Sequence, residues 1–292
     1  MNFQSKDALN NLLLLILYVF LGLFFFFLTI MLALLFSGDV ESIKAGNFNL
    51  SEKFSGNTLL TIQLLSHIFG LILPAFLISR SRNSVKNFLG TLHFSGSSFM
   101  FSVALLLLSL PLINLLTYIN LQIPLPDFLS GKEKQMEEII KQFLQMNSFL
   151  DLLIRIIIIA IIPAIGEEWI FRGVIQNQLI RVFNNKWMGL IVASIVFSGI
   201  HMQFQGFLPR MALGLILGYT YIKSNSLVQP IFLHFLFNGM QVIMVYVLGV
   251  DAIDNQLQGK MEWQSISILS ILSIPLLYLL LTKYNKQTAK VT

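Results

Sequence analysis

The 292 residues include no cysteine, which excludes disulfides, thiolate catalysis and thiolate-bound metal. Charge is scarce too: Asp, Glu, Lys and Arg make up 11% of the chain, against about 25% in soluble proteins. No basic cluster is interleaved with aromatics, so nothing points to nucleic acid. Internal repeats, low-complexity linkers and a soluble domain are all missing, and histidine occurs only four times.

What fills the chain instead is apolar: 55% of residues are hydrophobic and 26 are Phe, gathered into long runs. Apolar stretches of near-spanning length, charged only within the fourth and at Arg210 of the sixth, cover roughly 12–36, 58–79, 99–121, 150–180, 187–203, 207–222, 227–249 and 264–282. The expected fold is therefore all-α, a polytopic membrane helix bundle of about eight transmembrane helices. The first run, Leu12 to Phe36, is 25 residues long. A signal-peptide core has about 7–15 and ends at a small-residue cleavage site, so this run reads as a retained span. Three regions are expected: 1–149 with three spans and an interfacial helix, 150–249 as a core of four spans, and 250–292 as a last span and basic tail.

Lys and Arg set the orientation. Arg80, Arg82 and Lys86 follow the second span, Arg181 and Lys186 the fourth, Lys223 the sixth, and Lys283, Lys286 and Lys290 the eighth. The alternate loops are balanced or acidic, with Asp39, Glu41 and Glu52 in one and Asp251, Asp254 and Glu262 in another. Both termini are thus expected in the cytoplasm. Between the third and fourth spans, Met136, Ile139, Ile140 and Phe143 recur at helical spacing among Lys132, Lys134, Glu138 and Lys141. That pattern predicts an amphipathic helix over 132–146 lying on the outer membrane surface.

Against this background Glu167-Glu168-Trp169-Ile170-Phe171-Arg172 stands out. An ionisable side chain inside a span costs about 2.5–3.5 kcal/mol on insertion scales, so such a cluster marks a functional site. Glu168 and Arg172 are four apart and share a helix face, where pairing keeps both charges tolerable. Glu167 is turned about 100° away from that face. Desolvation disfavours its charged form, which suits a general base. His201 closes the fifth span, and His234 and Asn238 lie on one face of the seventh. Gly199, Gly206, Gly214 and Gly218 allow the intervening helices to approach closely. His67 has no acidic or histidine companion nearby in sequence and reads as a packing residue, Asp151 and Arg155 read as a local ion pair, and His93 has no role. Helix lengths leave a mismatch: they set Glu167 and His234 in the cytoplasmic half and His201 nearer the far side, unless helices tilt or break, as Pro163 allows.

The residues leave three chemistries open. A glutamate can activate water directly; Glu167, His201 and His234 can form a His₂Glu zinc set, although no His-Glu-x-x-His motif is present; or buried carboxylates and histidines can relay protons in a transporter. Paired broken helices and inverted repeats, expected of a transporter, are not found.

The order Glu167-Glu168 with Arg172, then Phe197 with His201, then His234 with Asn238 resembles the CPBP family of intramembrane proteases. This family (CAAX proteases and bacteriocin-processing enzymes, also called Abi) includes lysostaphin resistance protein A-like members. Gly173, Gly214, Gly218 and Pro230 extend the likeness, which covers roughly 150–245, while the first three spans add only hydrophobicity. The resemblance implies an endopeptidase acting on membrane-embedded or lipid-anchored peptides in the bilayer of a bacterial cell. It implies that Glu167 activates water with His201, that His234 and Asn238 stabilise the oxyanion, and that Glu168 and Arg172 support them. No cofactor is then required, with zinc as the alternative. Substrate and oligomeric state are not specified.

Overall fold

The computed structural model describes residues 3–36, 54–81, 96–250 and 263–288. These residues are almost wholly helical: α1 Phe3–Phe36, α2 Gly56–Ser81, α3 Gly96–Leu121, α4 Asp127–Leu144, α5 Phe149–Phe183, α6 Lys186–Gly199, α7 Phe207–Ser224, α8 Val228–Leu248 and α9 Trp263–Thr288. A helix lies at each of the eight expected spans. Six of them (α1, α2, α3, α5, α8 and α9) are long and apolar enough to cross a membrane. The other two are α6, only 14 residues long, and α7, which carries Arg210 and Lys223 within its 18, so the described residues supply six helices of spanning character where the sequence suggests about eight. The amphipathic helix is present as α4, starting five residues earlier than expected after Pro126. The charges of the connecting loops, from Asp39 to Glu52, Arg82 to His93 and Asp251 to Glu262, lie outside the described residues, as does Lys290.

Large apolar side chains cover the outside of the bundle, among them Phe20, Met100 and Ile271 at 65–67% exposure. Exposure on that scale is what a hydrocarbon surround calls for. Polar groups turn inward instead: Arg172, Gln176, Gln178 and Gln229 are among the largest fully buried side chains. Helix α3 packs against both α7 and α9, α1 lies against α2 and the end of α5, and α8 lies along the first half of α5.

Two helices carry wide π-helical turns, Ile68–Ile72 in α2 and Ile156–Ile161 in α5. Each is followed two residues later by a proline, Pro74 or Pro163. A proline ring has no amide hydrogen and crowds the carbonyl four residues before it, so a widened preceding turn accommodates it without breaking the helix. A third π-helical stretch, Trp169–Gln176, starts directly after the paired glutamates. Helix α5 thus stays continuous where Pro163 allowed a break.

Candidate active site

The long helix α5 puts Glu167 and Glu168 at the junction of an α-turn and a π-turn, both buried. Glu168 faces the middle of the bundle. Arg172 Nη1 donates to its Oε1 at 2.8 Å, as the four-residue spacing predicts, and Arg172 Nη2 donates to the Gly214 carbonyl at 3.1 Å. One turn on, Gln176 Nε2 donates to the Gly218 carbonyl at 3.1 Å. Two donors spaced by four residues on α5 thus meet two carbonyls spaced by four on α7. A Cβ on Gly218 would collide with Gln176 and Leu190, and one on Gly214 would crowd Ser194 and Phe197, so these glycines permit the ladder. Gly199 has open space instead, and Gly206 faces only the flexible Arg210, so neither mediates helix contact. The guanidinium also lies 4.6 Å from the centre of the Phe197 ring, a cation–π contact.

Glu167 points the other way, into a cavity of about 320 Å³ whose wall includes His67, His201, Asn238, Gln63 and Pro163. His201 Nε2 and His234 Nε2 lie 3.9 and 3.8 Å from its Oε2. The structure therefore brings together the three groups whose depths looked mismatched. His201 is not part of helix α6, which stops at Gly199; it stands in the turn that follows. That turn is held from three sides. Asn120 of α3 donates to the Phe204 carbonyl and accepts from Leu208 N, both at 2.7 Å. Glu133 of α4 accepts from the amides of Phe204 and Gln205, and Arg210 of α7 donates to Gln203.

Each histidine is oriented through its other nitrogen. A carbonyl oxygen only accepts, so the Nδ1 of His201, 2.9 Å from the Phe197 carbonyl, carries the hydrogen and leaves Nε2 turned to Glu167. His234 Nδ1 donates to Glu168 Oε1 at 2.8 Å, which joins the Glu168–Arg172 pair to the Glu167 side of the site. Asn238 Nδ2 donates to the Ile159 carbonyl at 3.3 Å. In an ordinary α-helix that carbonyl would bond the amide four residues on, and that residue is Pro163, which has none. His234 and Asn238 share a helix face yet hold different partners: Asn238 lies on the cavity wall, while His234, 3% exposed, sits behind Glu167. Among the described residues, no group of three or more His, Asp and Glu side chains is arranged to hold one metal ion.

His67 is the correction. It is not a packing residue: its Nε2 lies 3.2 Å from Glu167 Oε1, and its Nδ1 donates to the Gln63 carbonyl at 3.0 Å. No local pattern announces this contact, because the two residues are 100 apart in the chain. The first three spans likewise do more than supply hydrophobicity. Helix α2 brings His67 and Gln63, α3 brings Asn120, and α1 donates from Asn11 to Gln178 of α5 at 3.3 Å.

Comparison with known proteins adds a family likeness. Residues 149–240 match the family described as type II CAAX prenyl endopeptidase Rce1-like. That segment is thus similar to the CAAX prenyl endopeptidases of this family. It comprises α5, α6, α7 and the part of α8 that carries His234 and Asn238. Relatives include a putative membrane peptidase YdiL of Bacillus subtilis, 34% identical over 89 residues, or 30% of this chain and 36% of the relative. The membrane-embedded CAAX protease MroQ of Staphylococcus aureus is 32% identical over 93 residues, 30% of this chain and 38% of the relative. An uncharacterized 24.3 kDa protein of Escherichia coli is 30% identical over 117 residues, 37% of this chain and 52% of the relative. The chain thus spans about half the length, or less, of these curated relatives. No solved structure matches.

Proposed function

We propose that this membrane protein is an intramembrane endopeptidase that hydrolyses peptide bonds of membrane-embedded or lipid-anchored peptides by a glutamate-activated water. The observation that carries the reading is Glu167 Oε2, which faces two histidine nitrogens at 3.8–3.9 Å. Those separations are too long for direct hydrogen bonds and suit a shared third partner. A water held between Oε2 and His201 Nε2 would give a proton to Glu167 while its oxygen attacks the scissile carbonyl; Glu167 would then pass the proton to the leaving amine. Asn238 keeps one amide hydrogen beyond its bond to Ile159 and stands on the cavity wall, which suits an oxyanion donor. His234, held through Nδ1 by Glu168 and with Nε2 3.8 Å from Glu167 Oε2, would assist on the same side of the site. No metal is required in this scheme.

The orientation that accompanies this reading sets the end of the bundle bearing Arg80, Arg181, Lys186 and Lys223 in the cytoplasm of a bacterial cell, with both termini. The cavity wall extends from Glu167 toward the opposite end, through Gln63, Pro163, Ile159 and Asn238. The substrate bond would thus be presented from the side of α4. Membrane-peptide profiles of cells carrying wild type and Glu167→Ala test the activity. Peptides produced only by wild type are expected, and identical profiles would refute it.

A further inference from the structure

We infer that His67 is a positioning residue for Glu167, a role that rests on the proteolytic reading above. A carboxylate that serves as base must offer one oxygen to the water at a fixed angle, yet a glutamate side chain rotates about its last bond. His67 Nε2, which must carry a hydrogen to bond a carboxylate, occupies Oε1 at 3.2 Å, so Oε2 is the oxygen left facing His201 and His234. With Nδ1 donating as well, the ring serves as the imidazolium. The ring itself is held. Its Nδ1 donates to the Gln63 carbonyl at 3.0 Å, one turn earlier in the same helix, and the residue is 9% exposed. The helix is held in turn. A Cβ on Gly166, beside Glu167, would press on Ile72 and Leu71 of α2 at 3.0 and 3.5 Å. On its other side, Gly22 of α1 gives no room for a Cβ against the Phe69 carbonyl. Glycines on two neighbours therefore seat α2 so that His67 reaches the carboxylate. Preorganisation of this kind matters because displacing a reacting group by about 1 Å can cost about 10²-fold in rate.

The test uses the full-length protein in detergent and a fluorogenic peptide bearing an acyl anchor, chosen among those that wild type cleaves and Glu167→Gln does not. His67→Leu keeps an apolar filler but loses the donor; kcat should fall by up to about 10²-fold with KM unchanged. His67→Gln places an amide hydrogen close to the position of Nε2 and should restore most of the loss. In thermal unfolding, His67→Leu and Glu167→Gln should combine non-additively, since they remove one shared contact. Wild-type kcat in His67→Leu, equal loss in both His67 variants, or a loss confined to KM would overturn the inference while leaving the protease intact. Failure of wild type to cleave any anchored peptide would overturn the proteolytic reading and this one together.

Discussion

At the residue scale, two buried carboxylates side by side have been separated into different tasks by what surrounds them. Glu168 is committed: Arg172 and His234 both donate to its Oε1, and it is fully buried. Arg172→Ala would strand that charge, and breaking a buried pair costs about 3–5 kcal/mol. The variant should unfold well below wild type in detergent, and a wild-type melting temperature would contradict the structural role. Glu167, which faces the cavity, is the base of the proposed reaction. Glu167→Gln keeps the side chain's shape and should remove about 10²–10⁴-fold of activity while the protein still inserts and folds. Asn238→Ala should lower kcat by about 10²–10³-fold, the usual loss of one oxyanion donor, with KM little changed. A rise in KM at constant kcat would instead assign Asn238 to ground-state binding.

At the element scale, the site depends on places where helices depart from regular geometry. Pro163 leaves the Ile159 carbonyl for Asn238, and the turn after α6 carries His201 into contact range of Glu167. Asn120→Ala would remove two hydrogen bonds that hold this turn, each with a net worth of about 0.5–1.5 kcal/mol. The expected result is a lowered melting temperature together with reduced kcat, and unchanged turnover would show that the turn holds His201 without α3. The Glu168–Arg172 pair, the Asp151–Arg155 pair at 3.1 Å and the amphipathic α4 were legible in sequence because each lives within one helix, where spacing fixes which side chains meet. His67 was not legible, since its contact arises from packing between α2 and α5. Nor was the end of α6: Ile200 and His201 continue the apolar-then-polar pattern of a span, while the brackets from Asn120 and Glu133 that shape the turn lie 71–88 residues away.

At the scale of the whole molecule, α6 and α7 turn their buried faces, with Phe197, Gly214 and Gly218, toward α5 in the interior of the bundle. Polar residues such as Gln176 and Arg172 are affordable there because each finds a partner inside the bundle. The absence of cysteine makes sidedness directly measurable, since a single introduced thiol is the only one present. Lys186→Cys, at the basic end, should react with an impermeant maleimide only after the membrane is opened. Ile200→Cys, on the cavity wall and 48% exposed, should react in intact spheroplasts, and the reverse pattern would invert the proposed orientation. Whether Glu167 activates water without a metal is decided by cleavage of an anchored fluorogenic peptide by purified protein before and after exhaustive chelation. Wild type should retain full activity once stripped of metal, and equally folded Glu167→Gln should have none under either condition. Activity that disappears with chelation and returns with stoichiometric zinc, or that persists in Glu167→Gln, would contradict this mechanism.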